Sequence, residues 1–240
     1  MRACLIPLQI EPRNPKANLE HLEHSLIKVW HFKPDIVCLP ECALTGYLHD
    51  VKDFVTYAEP IPGPTTEAMA KLAKGYECLF CFGMLERTHT GVYSSAVLMD
   101  RTGKILLVHR KNHEKPPFAR GNLVQAVDTE IGRVSILICG DLFDEKTRAK
   151  LDKRTDYLIV PLARTFDGQS PDRKRWADEE RWAYAAEIKK TGATGLLVNL
   201  YGGPDYPDEG FGGAMIVSPE GHIRAESLHG TSDVTVFDVI

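Results

Sequence analysis

The chain has 240 residues, of which 43% are hydrophobic and 26% charged, the profile of a globular protein with one large domain or two small ones. Disordered, collagenous and fibrous chains are excluded by that balance. Against 29 Lys and Arg stand 33 Asp and Glu, a formal net charge of −4 with no positive excess to hold a phosphate backbone, so nucleic acid is not an expected partner.

The chain starts Met1-Arg2-Ala3-Cys4-Leu5-Ile6-Pro7, without the longer apolar stretch of a signal peptide. No apolar run approaches the ~18 residues needed to span a bilayer, so no membrane association and a cytoplasmic location are expected. The cysteines Cys4, Cys38, Cys42, Cys78, Cys81 and Cys139 are too few in a chain with this much core to suggest a disulfide scaffold. They are expected as reduced thiols.

Short apolar runs of strand length follow one another: Ala3 to Leu8, Ile36 to Leu39, Cys78 to Phe82, Ser95 to Met99, Val134 to Cys139, Tyr157 to Pro161, Gly195 to Leu200, Ala214 to Val217 and Val234 to Val239. Between them lie helical patterns. Asn18 to Trp30 places Leu19, Leu22, Leu26, Ile27 and Trp30 on one stripe, and Thr65 to Lys74 and Lys174 to Lys190 read likewise. The segment Ala96 to Leu106 reads as strand, Asp-x-x-Gly turn, strand, an antiparallel hairpin inside an otherwise alternating α/β pattern. Mixed sheets buried on both faces and covered by outer helices are therefore expected. With no repeat, low-complexity tract or linker composition, residues 1–240 are read as a single domain.

Cys38-x3-Cys42 and Cys78-x2-Cys81 are spaced like halves of a zinc site, but both pairs sit in or beside apolar strands and lack Gly-rich knuckles, so no metal is expected. Cys139 differs. It closes an apolar strand and is followed by Gly140 and Asp141, and strand ends are where α/β folds place reactive groups. Taken alone it still reads as one more buried thiol. Glu41 follows directly on the strand ending at Leu39-Pro40, where apolar walls would raise its pKa toward the range of a general base. Arg110-Lys111-Asn112-His113-Glu114 closes another strand, a place where charges usually face solvent.

Together, Leu39-Pro40-Glu41-x5-Tyr47, Arg110-Lys111-x-His113 and Ile138-Cys139-Gly140-Asp141 resemble the nitrilase, or carbon-nitrogen hydrolase, superfamily. Supporting stretches run the length of the chain, among them Pro62-Gly63-Pro64, Tyr93-Ser94-Ser95-Ala96, Phe118-x2-Gly121, Val198-Asn199 and Phe211-Gly212-Gly213-Ala214. The resemblance implies a four-layer α-β-β-α sandwich with two mixed sheets. It implies Cys139 as nucleophile, Glu41 as general base and Lys111 as the cation that stabilises an oxyanion, with the N–H of Gly140 as a second donor. Glu114 matches the second glutamate of many members, although it lies nearer to the lysine than is usual; because strand residues three apart face opposite ways, both reach one pocket only if the chain turns after Lys111. Gly140 stands where relatives carry an aromatic.

The implied activity is hydrolysis of a small amide without metal or organic cofactor, with nitrile hydrolysis, carbamoyl hydrolysis and a catalytically silent binding role as the alternatives. The expected substrate rim comprises Tyr47, residues 162–170 and residues 201–211 with Asp205, Asp208 and Glu209. The resemblance also implies a homodimer or higher homo-oligomer, paired through helices over residues 144–153 and 174–190.

Overall fold

A computed structural model describes residues 1–165, 173–206, 210–227 and 230–239. Their strands form two six-stranded mixed sheets. The first contains β1 (Arg2–Leu5), β2 (Ile36–Cys38), β3 (Leu79–Thr88), β4 (Gly91–Met99), β5 (Ile105–Arg110) and β12 (Thr235–Asp238), in the order β12-β1-β2-β3-β4-β5. The second contains β6 (Ala126–Thr129), β7 (Gly132–Ile136), β8 (Tyr157–Leu162), β9 (Thr194–Asn199), β10 (Ala214–Val217) and β11 (Ile223–Glu226), in the order β11-β10-β9-β8-β7-β6. In each sheet a parallel trio, β1-β2-β3 or β7-β8-β9, is flanked by antiparallel neighbours.

The period-two alternation of the strands assigns each face to a layer. Ala3, Leu5, Ile36, Cys38, Leu79 and Cys81 of the first sheet pack against Val134, Ile136, Ile159, Leu196, Val198 and Ile216 of the second. The intervening residues point outward to helices. Cys4, Val37, Phe80 and Phe82 pack under α1 (Pro15–Val29) and α3 (Pro64–Tyr76) through Leu22, Leu26, Met69 and Ala73. Leu158, Val160, Leu197 and Met215 meet Tyr184, Ala185 and Ile188 of the helix on the other side. The four-layer α-β-β-α sandwich implied by the sequence is the observed fold.

Local chemistry sets the helix ends. Asn14 accepts a hydrogen bond from the Ala17 N–H ahead of Pro15 at the start of α1. Gly63 N–H donates to Thr66 Oγ1 at the start of α3. The outer helix of the second sheet begins as α5 (Arg173–Arg175), passes through a π turn at Trp176–Glu180 and continues as α6 (Arg181–Thr191), ending at Gly192 with φ +72°.

The structure departs from the sequence reading at several elements. β1 stops at Leu5 rather than Leu8, because Pro7 has no N–H to give a ladder. β7 ends at Ile136, and Cys139 opens a 3₁₀ turn, Cys139–Leu142, instead of closing the strand. The helix expected over 144–153 is only α4 (Glu145–Arg148), since Asp152 Oδ1 accepts the Arg154 N–H and turns the chain. α2 (Val51–Tyr57), β6 and β11 were not read from the sequence. No helix among the described residues is long and apolar enough to cross a membrane.

Candidate active site

Glu41, Lys111 and Cys139 all lie just beyond the carboxyl ends of strands, β2, β5 and β7. After β2 the chain enters a turn in which Cys42 has φ +50°. That turn rests on Gly83 of β3: Ala43 N–H donates to Gly83 O and Gly83 N–H to Pro40 O, both at 3.0 Å. A Cβ at position 83 would lie 2.5 Å from the Cα of Glu41, so only glycine allows the approach. Glu41 N–H donates across to Leu162 O of β8 at 3.2 Å, tying this turn to the second sheet.

The Glu41 carboxyl is fully buried. Its Oε1 accepts from Ser94 Oγ at 2.7 Å and from Lys111 Nζ at 2.9 Å. Its Oε2 is buried and has no hydrogen-bond partner. Burial raises the Glu41 pKa, against the opposing pull of Lys111 and Ser94. Burial also disfavours the Lys111 ammonium and is the largest single influence on it, yet Glu41, Cys139, Tyr47 and Glu114 together raise its pKa. Lys111 is charged at neutral pH.

Beyond Lys111 the chain turns as the sequence argument required, and Glu114 Oε2 comes within 2.8 Å of Lys111 Nζ. The same oxygen accepts from Tyr47 O–H at 2.5 Å, and Lys111 Nζ sits 4.9 Å above the Tyr47 ring. The loop is closed by Gly121 N–H donating to Lys111 O at 2.8 Å, where a Cβ on residue 121 would collide with Arg110 O.

Cys139 has φ +46°, a left-handed conformation that turns its side chain out of the strand direction at a sharp elbow. It is half-buried, whereas the other cysteines are buried. Burial pushes its thiol up to about 11, against a lowering by Lys111 and, more weakly, by the Ala163 backbone, while Glu41 raises it further. The thiol opens onto a cavity of about 300 Å³ lined by Cys139, Gly140, Phe143, Arg164, Glu180 and Tyr184.

The residue that binds loop to elbow is Asp141. Its Oδ1 accepts from Asn112 N–H at 2.9 Å and His113 N–H at 2.7 Å, and its Oδ2 from Ile138 N–H at 3.1 Å and His109 Nε2 at 2.8 Å. An ionised carboxylate carries no hydrogen, so His109 Nε2 is the donor.

Sequence reasoning singled out Glu41, Lys111, Glu114, Tyr47, Gly140 and Cys139, and the structure gathers the first four around one ammonium with the last two at the adjoining cavity. It gave no role to Ser94, His109 or Asp141, and Tyr184, expected on the pairing helix over 174–190, is instead buried in the core. Ser94, just ahead of the apolar run Ser95 to Met99 and buried within β4, is itself a signal for a specific acceptor; the His109–Asp141 contact, 32 positions apart, leaves none. Of the expected rim, residues 166–170 and 207–209, with Asp208 and Glu209, lie outside the described residues.

Two carboxylates, an ammonium and a thiol beyond the strand ends of a four-layer sandwich define the nitrilase class of architecture. The profile of the carbon-nitrogen hydrolase family matches residues 2–239, and the chain belongs to that family. The chain is 29% identical over 174 residues to Hydrolase C26A3.11 of Schizosaccharomyces pombe, covering 64% of this chain and 53% of the relative, about half its length. It is 26% identical over 194 residues to omega-amidase NIT2-B of Xenopus laevis, covering 65% of this chain and 70% of the relative. Among solved structures, Nit3 of Saccharomyces cerevisiae superposes with a TM-score of 0.84 at 18% identity, covering 99% of this chain and 89% of that one.

Proposed function

We propose that the protein is a thiol amidase that hydrolyses the C–N bond of a small amide through an acyl-enzyme on Cys139. The observation that carries this reading is the Glu41 carboxylate, whose Oε1 is held by Ser94 and Lys111 while its buried Oε2 has no partner. A buried base with one open acceptor beside a thiol is arranged to take that thiol's proton.

In the proposed reaction the Cys139 proton passes to Glu41 Oε2 as sulfur attacks the amide carbon. Lys111 Nζ and the Gly140 N–H stabilise the oxyanion. The C–N bond then breaks as Glu41 returns the proton to the departing nitrogen, which leaves as ammonia or an amine. Glu41 next takes a proton from water as its oxygen attacks the thioester carbon; the C–S bond breaks, Glu41 returns the proton to sulfur and the acid leaves. Glu114 holds Lys111 from the other side and, with Tyr47, borders the substrate. No metal or organic cofactor enters this chemistry.

The names of relatives support amide substrates, since omega-amidase and formamidase are among the matched proteins. Measuring ammonia release from primary amides, N-carbamoyl compounds and nitriles tests the reading. Primary amides are expected to be turned over, and Cys139→Ala to abolish turnover while leaving the fold. Preferential turnover of nitriles or carbamoyl compounds would replace the substrate class, and an unreactive Cys139 would make the protein a silent family member.

The same reading includes a cytoplasmic, single-domain protein that pairs with itself. Trp182 and Phe143, 50% and 45% exposed on the outer helix layer and the elbow turn, offer apolar surface for that pairing. Light scattering at micromolar concentration is expected to return twice the chain mass; the monomer mass would refute pairing.

A further inference from the structure

Two parts of the cavity wall at Cys139 are left unused by the reaction, the Arg164–Glu180 ion pair at 3.3 Å and Tyr184, and only Tyr184 is a neutral donor. Tyr184 lies on α6, is only 2% exposed and lines this cavity beside Cys139 and Gly140. Its ring is fixed edge-on to Phe143, with centroids 5.0 Å apart, and tilted against Trp176 at 6.1 Å. Its hydroxyl makes no hydrogen bond to any described residue and is left to face the cavity. Burial and, after it, the nearby Cys139 raise the Tyr184 pKa, so the hydroxyl keeps its proton and can donate.

We propose that Tyr184 is a substrate-binding residue that selects short amides carrying an oxygen acceptor on the acyl chain, its hydroxyl donating the hydrogen bond to that oxygen. The inference rests on the amidase reading of the site. An acyl chain lying along Phe143 and Tyr184 expels water from the cavity. A plain aliphatic chain then leaves the Tyr184 O–H without a partner, whereas a hydroxy or oxo group supplies one. The ring is locked by aromatic packing, so the donor costs little ordering on binding.

Shape-matched pairs test this: propionamide against lactamide, and butyramide against 3-hydroxybutyramide. Binding is measured calorimetrically to Cys139→Ala, which cannot turn them over, and to Cys139→Ala/Tyr184→Phe. In at least one pair the oxygenated amide is expected to bind roughly 10-fold more tightly, and Tyr184→Phe to erase that preference. With catalytically intact protein the same substitution is expected to raise KM for the oxygenated member several-fold more than for the plain amide. No preference in either pair, a preference that survives Tyr184→Phe, or an equal loss for both members would overturn the proposal. The last outcome would assign Tyr184 to the oxyanion or to packing. Failure of the amidase reading is distinguishable, since it appears as absent ammonia release while the binding preference persists.

Discussion

Asp141 accepts hydrogen bonds from three backbone N–H groups and from His109 while fully buried, so its charge is compensated entirely by fixed donors. Two of those donors belong to the loop between Lys111 and Glu114, so this carboxylate sets where the ammonium stands relative to the elbow. Asp141→Asn turns an amide N–H₂ toward some of those donors and is expected to cost about 2–3 kcal/mol in chemical denaturation and to lower kcat, with little change in KM. Glu114→Gln keeps the shape but removes one of the two charges facing Lys111; kcat is expected to fall roughly 10²-fold, and Glu41→Gln further, since Glu41 is the base proposed to take the thiol proton. Wild-type kinetics in Glu114→Gln would make it an ordinary loop residue. The thiol itself gives a pH test. Because the folded protein holds Cys139 up near 11, the thiolate fraction grows with pH throughout the range from 7 to 10. Iodoacetamide labelling, followed by peptide mapping, is expected to hit Cys139 first among the cysteines and to accelerate about tenfold per pH unit, without the plateau an ordinary thiol shows near its pKa of ~8.5.

The loop spanning residues 111–121 is held by packing as well as by hydrogen bonds. Phe118 stacks on Tyr47 with centroids 5.4 Å apart and tilts against Phe54 of α2 at 4.9 Å, in a small cluster with Cys42, Leu48, Ala58 and Leu85. Tyr47 in turn donates to Glu114, so this satellite core positions the second carboxylate from beneath. Phe118→Ala is expected to cost about 3 kcal/mol by the cavity it leaves, and to reduce kcat/KM because Tyr47 loses its support. Equal activity at full occupancy of the fold would separate the cluster from the site. This arrangement explains what the sequence did not reveal. α2 is a single short amphipathic turn pair whose Val51 and Val55 face outward, 59% and 74% exposed, so no clean apolar stripe marks it. β6 and β11 are sheet edges with Asp128, Arg224 and Glu226 among their few residues, and edge strands lack the continuous apolar signature. The doubly buried strands Ile36–Cys38, Tyr157–Leu162 and Thr194–Asn199 were legible for the opposite reason. The candidate residues Glu41, Lys111 and Cys139 were picked out by the family resemblance of their motifs, since each alone read as a buried thiol or a solvent-facing charge, whereas Asp141 and His109 acquire their contact only through tertiary folding.

The two sheets contribute separately to the site: the first carries Glu41 and Lys111, the second Cys139, and the layer between them fixes their separation. Ile159 is fully buried in that layer, and Ile159→Ala is expected to cost about 2–5 kcal/mol, seen as a lower Tm, with kcat falling at temperatures well below the transition if the sheets resettle. Activity that tracks only the folded fraction would show that the sheets keep their spacing. The register pairing Arg2 with Asp238 and Leu5 with Thr235 has a kinetic consequence. It joins positions 236 apart, among the longest loop closures possible in this chain, so its entropy is recovered late in folding. Until β12 docks, β1 offers an unpaired edge to any neighbouring molecule. Refolding from denaturant is therefore expected to lose yield as protein concentration rises, with the strand of one molecule capping the sheet of another, and a yield independent of concentration would show that this edge closes early.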